Sequence, residues 1–381
     1  MKSSQTIKTA FILYQVGTYH YARLEALSTK VSLHVVPLSS HSFQREWQVN
    51  SHPEHRPLFA DVGKEQTKSV LSALVRKLEE INPDIVVISG YFYPAMREAA
   101  RWAKRNGCGT ILLSESNYYD KKRYFPSEFI KGAWLRKHFD ACFVGGARAQ
   151  LYHEYLGFPP HRIWTGYDVV DNLYFQRKSL EAKKRLSKVK EDMGLPDKFF
   201  LYVGRLSAEK NLERLLKSFA MLSCEPKAKN WHLVITGSGP REKMLREMCI
   251  REGMQQIIWT GFQQLDLLPS IYSCASAFVL PSVTEPWGLV VNEAMACGLP
   301  ILASYRCGSV LDLVKHGENG WIFDPYSEQS MREAMFSANE KEDNLPLMGA
   351  RSLDIIKFFT QETFAVSLAD CIASISSIQR P

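Results

Sequence analysis

The 381-residue chain reads as an α/β protein built from two doubly wound parallel-sheet domains. Three observations carry this. Short apolar runs alternate with helix-length segments from end to end, the pattern of parallel strands joined by right-handed crossovers. A chain this long, 45% hydrophobic, needs more than one core. Charge divides along it too: residues 1–178 carry 24 Lys and Arg against 16 Asp and Glu (net +8), and residues 179–381 carry 23 against 24 (net −1).

The first half opens with strand Ala10–Val16, the turn Gly17-Thr18-Tyr19-His20 and a helix from about Tyr21 to Thr29. Strand Val31–Leu38 precedes a Ser-, His- and Pro-rich loop over 39–60, a length that is often functional. A helix near Lys64–Glu80 leads through Asn82-Pro83 into strand Asp84–Gly90, with Tyr91 just beyond its end. Helix Pro94–Asn106, stopped by Gly107, leads to strand Thr110–Ser116; strand Ala141–Val144, helix Ala147–Tyr155 and strand Arg162–Thr165 complete the domain. The single Gly17 is not the Gly-x-Gly-x-x-Gly of dinucleotide sites, yet it lets a substrate approach the amides of a helix start. His20 is a proton acceptor or a solvated side chain. Glu115, at a strand's carboxyl end, is a site residue or a helix cap.

Residues 121–138 interleave six Lys and Arg with Tyr124, Phe125, Phe129 and Trp134. Helical from Ser127, they align Phe129-Ile130, Ala133-Trp134 and Leu135 in an apolar stripe beside a basic one. That suits either an interfacial helix on anionic lipid or an ordinary helix packed on its own sheet. The basic first half calls for an anionic partner, a membrane surface or an acidic acceptor; no nucleic-acid-binding signature is visible. The eight cysteines form no Cys-x-x-Cys pair and read as reduced residues of a cytosolic protein. No apolar run reaches 18 residues, so a soluble or peripherally attached protein is expected.

The second half follows a linker over Asp168–Arg177 and a charged helix over Lys178–Met193. Strand Phe199–Gly204 runs into Arg205-Leu206-Ser207-Ala208-Glu209-Lys210-Asn211 and a helix to about Leu222, with Ser207 as its cap. Arg205 and Lys210, at a strand-to-helix turn backed by helix amides, make a diphosphate seat. Strand Trp231–Gly237 ends in Gly237-Ser238-Gly239-Pro240, a turn that brings backbone close to a ligand, before helix Arg241–Arg251. Strand Ile257–Thr260 ends at Gly261-Phe262, and helix Asp266–Ser273 leads to strand Ala277–Leu280. Strand Ile301–Ala303, the turn Arg306–Ser309 and helices near Ser327–Asn339 and Gln361–Ser376 follow. Between them lies Pro-Ser-Val-Thr-Glu-Pro-Trp-Gly-Leu-Val-Val-Asn-Glu-Ala-Met-Ala-Cys-Gly-Leu-Pro over 281–300. Its Glu285 and Glu293 flank a Pro-Trp-Gly-Leu turn at the strand ends, where α/β sheets bind ligands. Carboxylates there accept paired bonds from vicinal hydroxyls of a sugar or ribose; the plain alternative is two solvated glutamates.

In that order, Arg205…Lys210, Gly237-x-Gly239 and Glu285-x7-Glu293 resemble the motifs of glycosyltransferase family four, over roughly residues 199–326. The resemblance implies a GT-B fold of two facing Rossmann-like domains: residues 1–175 for the acceptor, residues 176–361 for a nucleotide-sugar donor. A final helix over about 362–381 would cross back to the first domain. It implies that Glu293 holds the ribose and Glu285 the donor sugar, while Arg205 and Lys210 neutralise the diphosphate. Gly204, the Gly237–Gly239 turn, Phe262, Pro286, Trp287, Gly288 and Leu289 would line the donor. The implied reaction is retaining transfer from a uridine diphosphate sugar to a carbohydrate or lipid-linked hydroxyl, in surface polysaccharide or glycolipid assembly at the inner face of the cytoplasmic membrane. With no Asp-x-Asp in the chain, metal-independent transfer without a cofactor is expected. Many family members carry a His at the end of the fourth first-domain strand; this chain has Glu115 nearby, leaving Gly17, His20, Tyr91 and Glu115 as acceptor-side candidates. An epimerase or hydrolase of the same fold would turn over donor without acceptor, and a non-catalytic binding protein would turn over nothing.

Overall fold

A computed structural model describes residues 7–39, 57–59 and 68–379. Most of the expected loop over 39–60, and the first turn of the helix expected near Lys64, lie outside these residues. The chain divides into two compact units: residues 1–118, 122–169 and 361–381 form the first, and residues 119–121 and 170–360 the second.

The first unit's strands are β1 (Lys8–Leu13), β2 (Ser32–Pro37), β3 (Ile85–Ser89), β4 (Gly109–Ser114), β5 (Ala141–Val144) and β6 (Ile163–Thr165). They pair in parallel in the order β2-β1-β3-β4-β5-β6. The order reverses between β1 and β3, the position at which neighbouring crossovers leave to opposite faces and open a crevice. Helices α1 (Thr18–Ser28), α2 (Lys68–Ile81), α3 (Pro94–Arg105), α4 (Phe125–His138) and α5 (Ala147–Tyr155) supply the crossovers. Strands buried on both faces read as continuous apolar runs, as Ala10–Leu13 and Ile85–Ile88 do. In α3, Pro94 fills the first turn, where its missing N–H costs nothing, and Ala95, Ala99, Ala100 and Ala103 bring the helix close to the sheet.

The second unit begins where a linker is expected. Residues from Asn172 are helical instead: Asp171 caps α6 (Asn172–Lys183) by accepting from Tyr174 N at 2.9 Å. The expected single helix to Met193 breaks at Lys184-Arg185, and α7 (Leu186–Met193) ends at left-handed Gly194. Strands β7 (Lys198–Val203), β8 (Trp231–Thr236), β9 (Ile257–Gly261), β10 (Ala277–Leu280), β11 (Ile301–Ser304) and β12 (Gly320–Phe323) form a parallel sheet in the order β12-β11-β10-β7-β8-β9. Its order reverses between β7 and β10. Helices α8 (Leu212–Ser223), α9 (Glu242–Arg251), α10 (Leu268–Cys274), α11 (Leu289–Ala296), α12 (Val310–Leu313), α13 (Glu328–Glu340) and α14 (Leu345–Ile356) surround it. The last helix, α15 (Gln361–Gln379), belongs to the first unit; it lies against α1 and buries Phe364, Leu368, Cys371 and Ile375, with Phe364 against the Phe143 and Tyr167 rings.

Sequence patterning did not reveal β12 or α14. β12 is a four-residue edge strand without alternation. In α14, Gly349 and Pro346 mask the helical signal. Gly349 is there for contact: a Cβ would run into the Gly298 carbonyl, just past the C-terminus of α11. Replacing it with Ala sets a helix-propensity gain of about 1 kcal/mol against an overpacking cost of about 1–3 kcal/mol. Gly349→Ala is therefore expected to lower stability by up to about 2 kcal/mol in denaturant melts; a variant more stable than wild type would contradict this packing.

Candidate active site

Around the β7/β10 reversal, three loops are woven together by backbone. The turn after β7 starts at Gly204, whose N–H donates to Thr236 O at 3.0 Å, and Leu206 N–H donates to Ser238 O at 2.8 Å. A Cβ on Gly237 would strike the Gly204 carbonyl, and one on Gly239 the Leu206 backbone. These glycines therefore have a packing reason in addition to the ligand access expected of them: two turns lie too close for side chains. Gly237 N–H donates to Gly261 O at 2.8 Å, which carries the contact to the turn holding Phe262.

The expected helix with Ser207 as its cap does not follow Arg205. Residues Ala208–Lys210 make one 3₁₀ turn, Ser207 Oγ bonds to the Glu209 carboxylate, and α8 starts only after left-handed Asn211. Asn211 tolerates that conformation because its amide is fully used, donating to Pro281 O at 3.1 Å and Pro325 O at 2.7 Å. It thereby ties the β7 turn to the end of β10.

Glu285 and Glu293 lie on the β10 side. Val283 N–H donates to Glu209 O at 2.9 Å, Arg306 Nε to Val283 O at 2.6 Å, and Gly308 N–H to Glu285 O at 2.9 Å. Held this way, Glu285 is 8% exposed, forms an ion pair with Lys210 across the reversal, and accepts from Ser282 Oγ at 3.1 Å. Pro286 follows. Trp287 turns inward, its indole donating to Asn292 Oδ1 at 2.9 Å, so it offers backbone rather than ring to a ligand. Gly288 (φ 95°) makes the left-handed turn into α11, which Leu289 begins. Glu293, one turn inside α11, is 1% exposed and accepts from Tyr272 Oη at 2.9 Å. Arg205 stays exposed at the end of β7. The burial of the Cys307 thiol beside Glu285 pushes its pKa up to about 12. Asn292 and Tyr272 were missed in the sequence; Asn292 is one step before Glu293, but nothing local marks Tyr272.

The first unit's candidates gather at its own carboxyl edge. Gly17 and His20 follow β1, Tyr91 follows β3, and Glu115 follows β4. His20 is not poised to take a proton at Nδ1, because that nitrogen accepts the Gly17 N–H at 2.9 Å and caps α1. The Tyr91 carbonyl accepts from Arg97 Nη1 at 3.1 Å, and Tyr14 stacks on Tyr93 at 4.5 Å. Glu115 has a neighbour that sequence did not suggest: buried Asp168, which feels its charge. Burial, with the Glu115 charge next, raises the Asp168 pKa well above the usual carboxylate range, against the opposing pull of Arg23. Arg23 is itself held by a 3.0 Å bond to Val169 O. Among the described residues, no three His, Cys, Asp or Glu side chains come together as a metal-binding group.

Comparison with known proteins then bears on these geometries. Residues 183–348 match the family described as glycosyl transferases group 1. An alpha-D-kanosaminyltransferase of Streptomyces kanamyceticus is 30% identical over 42% of this chain and 41% of its own length. A serotype-specific mannosyltransferase of Escherichia coli is 30% identical over 72% of this chain and 34% of its own length. The chain thus spans less than half of these relatives. Anabaena HepE, solved in complex with UDP, superposes with a TM-score of 0.74 at 16% identity, over 97% of this chain and 100% of HepE. At that identity the likeness establishes the fold, which is GT-B.

Asp168 yields a pH test. Its raised value means that the folded chain keeps a proton the unfolded chain releases above about pH 4. The stability it contributes is whole below that pH and is lost as pH rises toward the native value. Asp168→Asn is neutral at every pH and has no proton to lose. Thermal melts of variant and wild type should coincide near pH 4 and separate at neutral pH, the variant melting higher; a pH-independent gap would contradict the assignment.

Proposed function

Because residues 183–348 match the family of group 1 glycosyl transferases, we propose that this chain is a retaining, metal-independent glycosyltransferase. It takes a sugar from a uridine diphosphate sugar to a hydroxyl of a carbohydrate or lipid-linked acceptor. The setting is surface polysaccharide or glycolipid assembly, at an anionic cytoplasmic membrane face contacted through residues 121–138. The supporting observation is the Lys210–Glu285 ion pair spanning the β7/β10 reversal, with exposed Arg205 on the same turn as Lys210 and buried Glu293 on the helix that follows Glu285. UDP is the nucleotide in the HepE complex, and sugar transfer is in the names of the relatives.

The chemistry follows from charge. As the nucleoside diphosphate leaves, its bridging oxygen gains negative charge while the sugar becomes cation-like. Arg205, Lys210 and the α11 amides aimed at that oxygen stabilise the change without rearranging. Lys210 is engaged by Glu285 until a diphosphate competes for it. The exchange hands Lys210 to phosphate and frees Glu285 to accept from sugar hydroxyls. Glu293 retains acceptor capacity beyond the bond from Tyr272 and takes the ribose. With fixed cations in this role, no metal is assigned to the reaction. Same-face attack by the acceptor hydroxyl gives retention without a second carboxylate.

A thermal-shift panel of nucleotide sugars tests donor binding, with the uridine series expected to raise the melting temperature. Arg205→Ala should lower kcat about 10²–10³-fold, and a chelator should leave turnover unchanged. Donor consumption that proceeds equally well without any acceptor would overturn the transferase reading in favour of an epimerase or hydrolase.

A further inference from the structure

A surface helix ordinarily turns its apolar side to the core. α4 does the reverse. Phe125, Phe129 and Ile130 are 71%, 66% and 69% exposed, while Glu128, Gly132 and Leu135 face inward. The apolar stripe expected over residues 129–135 is therefore split, with only Leu135 fully in the core and Trp134 half-buried. A polar clamp explains the inversion. Buried Glu128 forms an ion pair with Lys131 and accepts from the Tyr152 hydroxyl, and Arg123 donates to that hydroxyl at 2.5 Å while lying 4.2 Å over the ring. Gly132 lets α4 sit against the Leu156 carbonyl at the end of α5, where a Cβ would not fit. Glu128 is the only carboxylate between residues 121 and 138. With it turned in, the outer face of α4 shows apolar side chains, exposed Lys137, and exposed Lys122 just ahead of the helix.

We infer that the outer face of α4 docks on a lipid bilayer with anionic headgroups, anchored by Phe125, Phe129 and Ile130 and attracted by the lysines. The inward clamp withdraws the one carboxylate that residues 121–138 would present to such a surface. A second copy of the chain fits less well, because a two-fold contact through this face brings lysines against lysines. A bilayer meets both needs at once: anions at the depth of the lysines and hydrocarbon beneath them. The inference deepens the membrane side of the proposed function, yet it depends on no turnover.

The test is cosedimentation of the full chain with phosphatidylcholine vesicles, with and without phosphatidylglycerol. Wild type should pellet with the anionic vesicles at low salt and lose binding as salt is raised. The double variant Phe129→Glu/Ile130→Glu should lose at least tenfold in partitioning with an unchanged thermal melt. Lys122→Ala should lose about fivefold. Val366→Glu, exposed on α15 of the same unit, should bind as wild type does. Absence of wild-type pelleting, equal pelleting of the double variant, or light scattering that shows a dimer abolished by the double variant would each overturn the inference. Donor thermal shifts on the same variants, expected to be unchanged, separate this failure from failure of the transferase reading.

Discussion

The ion pair between Lys210 and Glu285 is the constraint on which the second unit's carboxyl edge turns. It joins the loops on the two sides of the strand-order reversal, with both side chains mostly withdrawn from water. Such a pair is a poor source of stability, since desolvation offsets most of the attraction, while removal of one partner strands the other at a cost of about 3–5 kcal/mol. A charge pair of this kind at a strand-order reversal is better explained by what can replace one of its members. On the proposed reading, an arriving anion satisfies Lys210 and an arriving polyol satisfies Glu285. Neither charge is then left bare.

The supporting structure consists of close backbone contacts more than of side-chain packing. Gly237 and Gly239 let turns touch that otherwise could not, and Gly308 meets the Pro286 carbonyl in the same way. Asn211 and Arg306 then bond the β7 and β11 turns to the β10 loop. The result is a rigid rim of amides and carbonyls, with Arg205 as its exposed cation. Preorganisation of this sort stabilises developing charge, because nothing has to move when charge appears. The first unit is also an all-parallel six-stranded sheet, but with a different strand order and different chemistry at its edge, where buried Asp168 lies beside Glu115.

Much of this was legible in the residue order. Alternation of apolar runs with helical segments located most strands within a few residues, because a strand buried on both faces must be apolar throughout. Gly298 after α11 and Pro94 at the start of α3 marked helix ends through backbone chemistry that is local. Where signals were weak, elements went unread: β12 is too short for periodicity, and α6 starts inside a stretch whose Asp171-Asn172 pair resembles a turn until Asp171 is recognised as a cap. Glu285 and Glu293 stood out by spacing around a turn of distinctive composition.

Sequence alone determined the fold class, the placement of Arg205, Lys210 and Glu285 on turns at strand ends and of Glu293 on the helix that follows, and the excess of positive charge in the first half. Tertiary structure decided which partner each charge takes. Lys210 pairs with Glu285, 75 positions away, and Tyr272 with Glu293, from a different helix. Glu115 meets Asp168 only because the chain returns over the sheet after β6. It also decided that α4 faces outward with its apolar side. Periodicity records that a helix has two faces, whereas the choice between them rests on a clamp assembled from α4, the segment before it and α5.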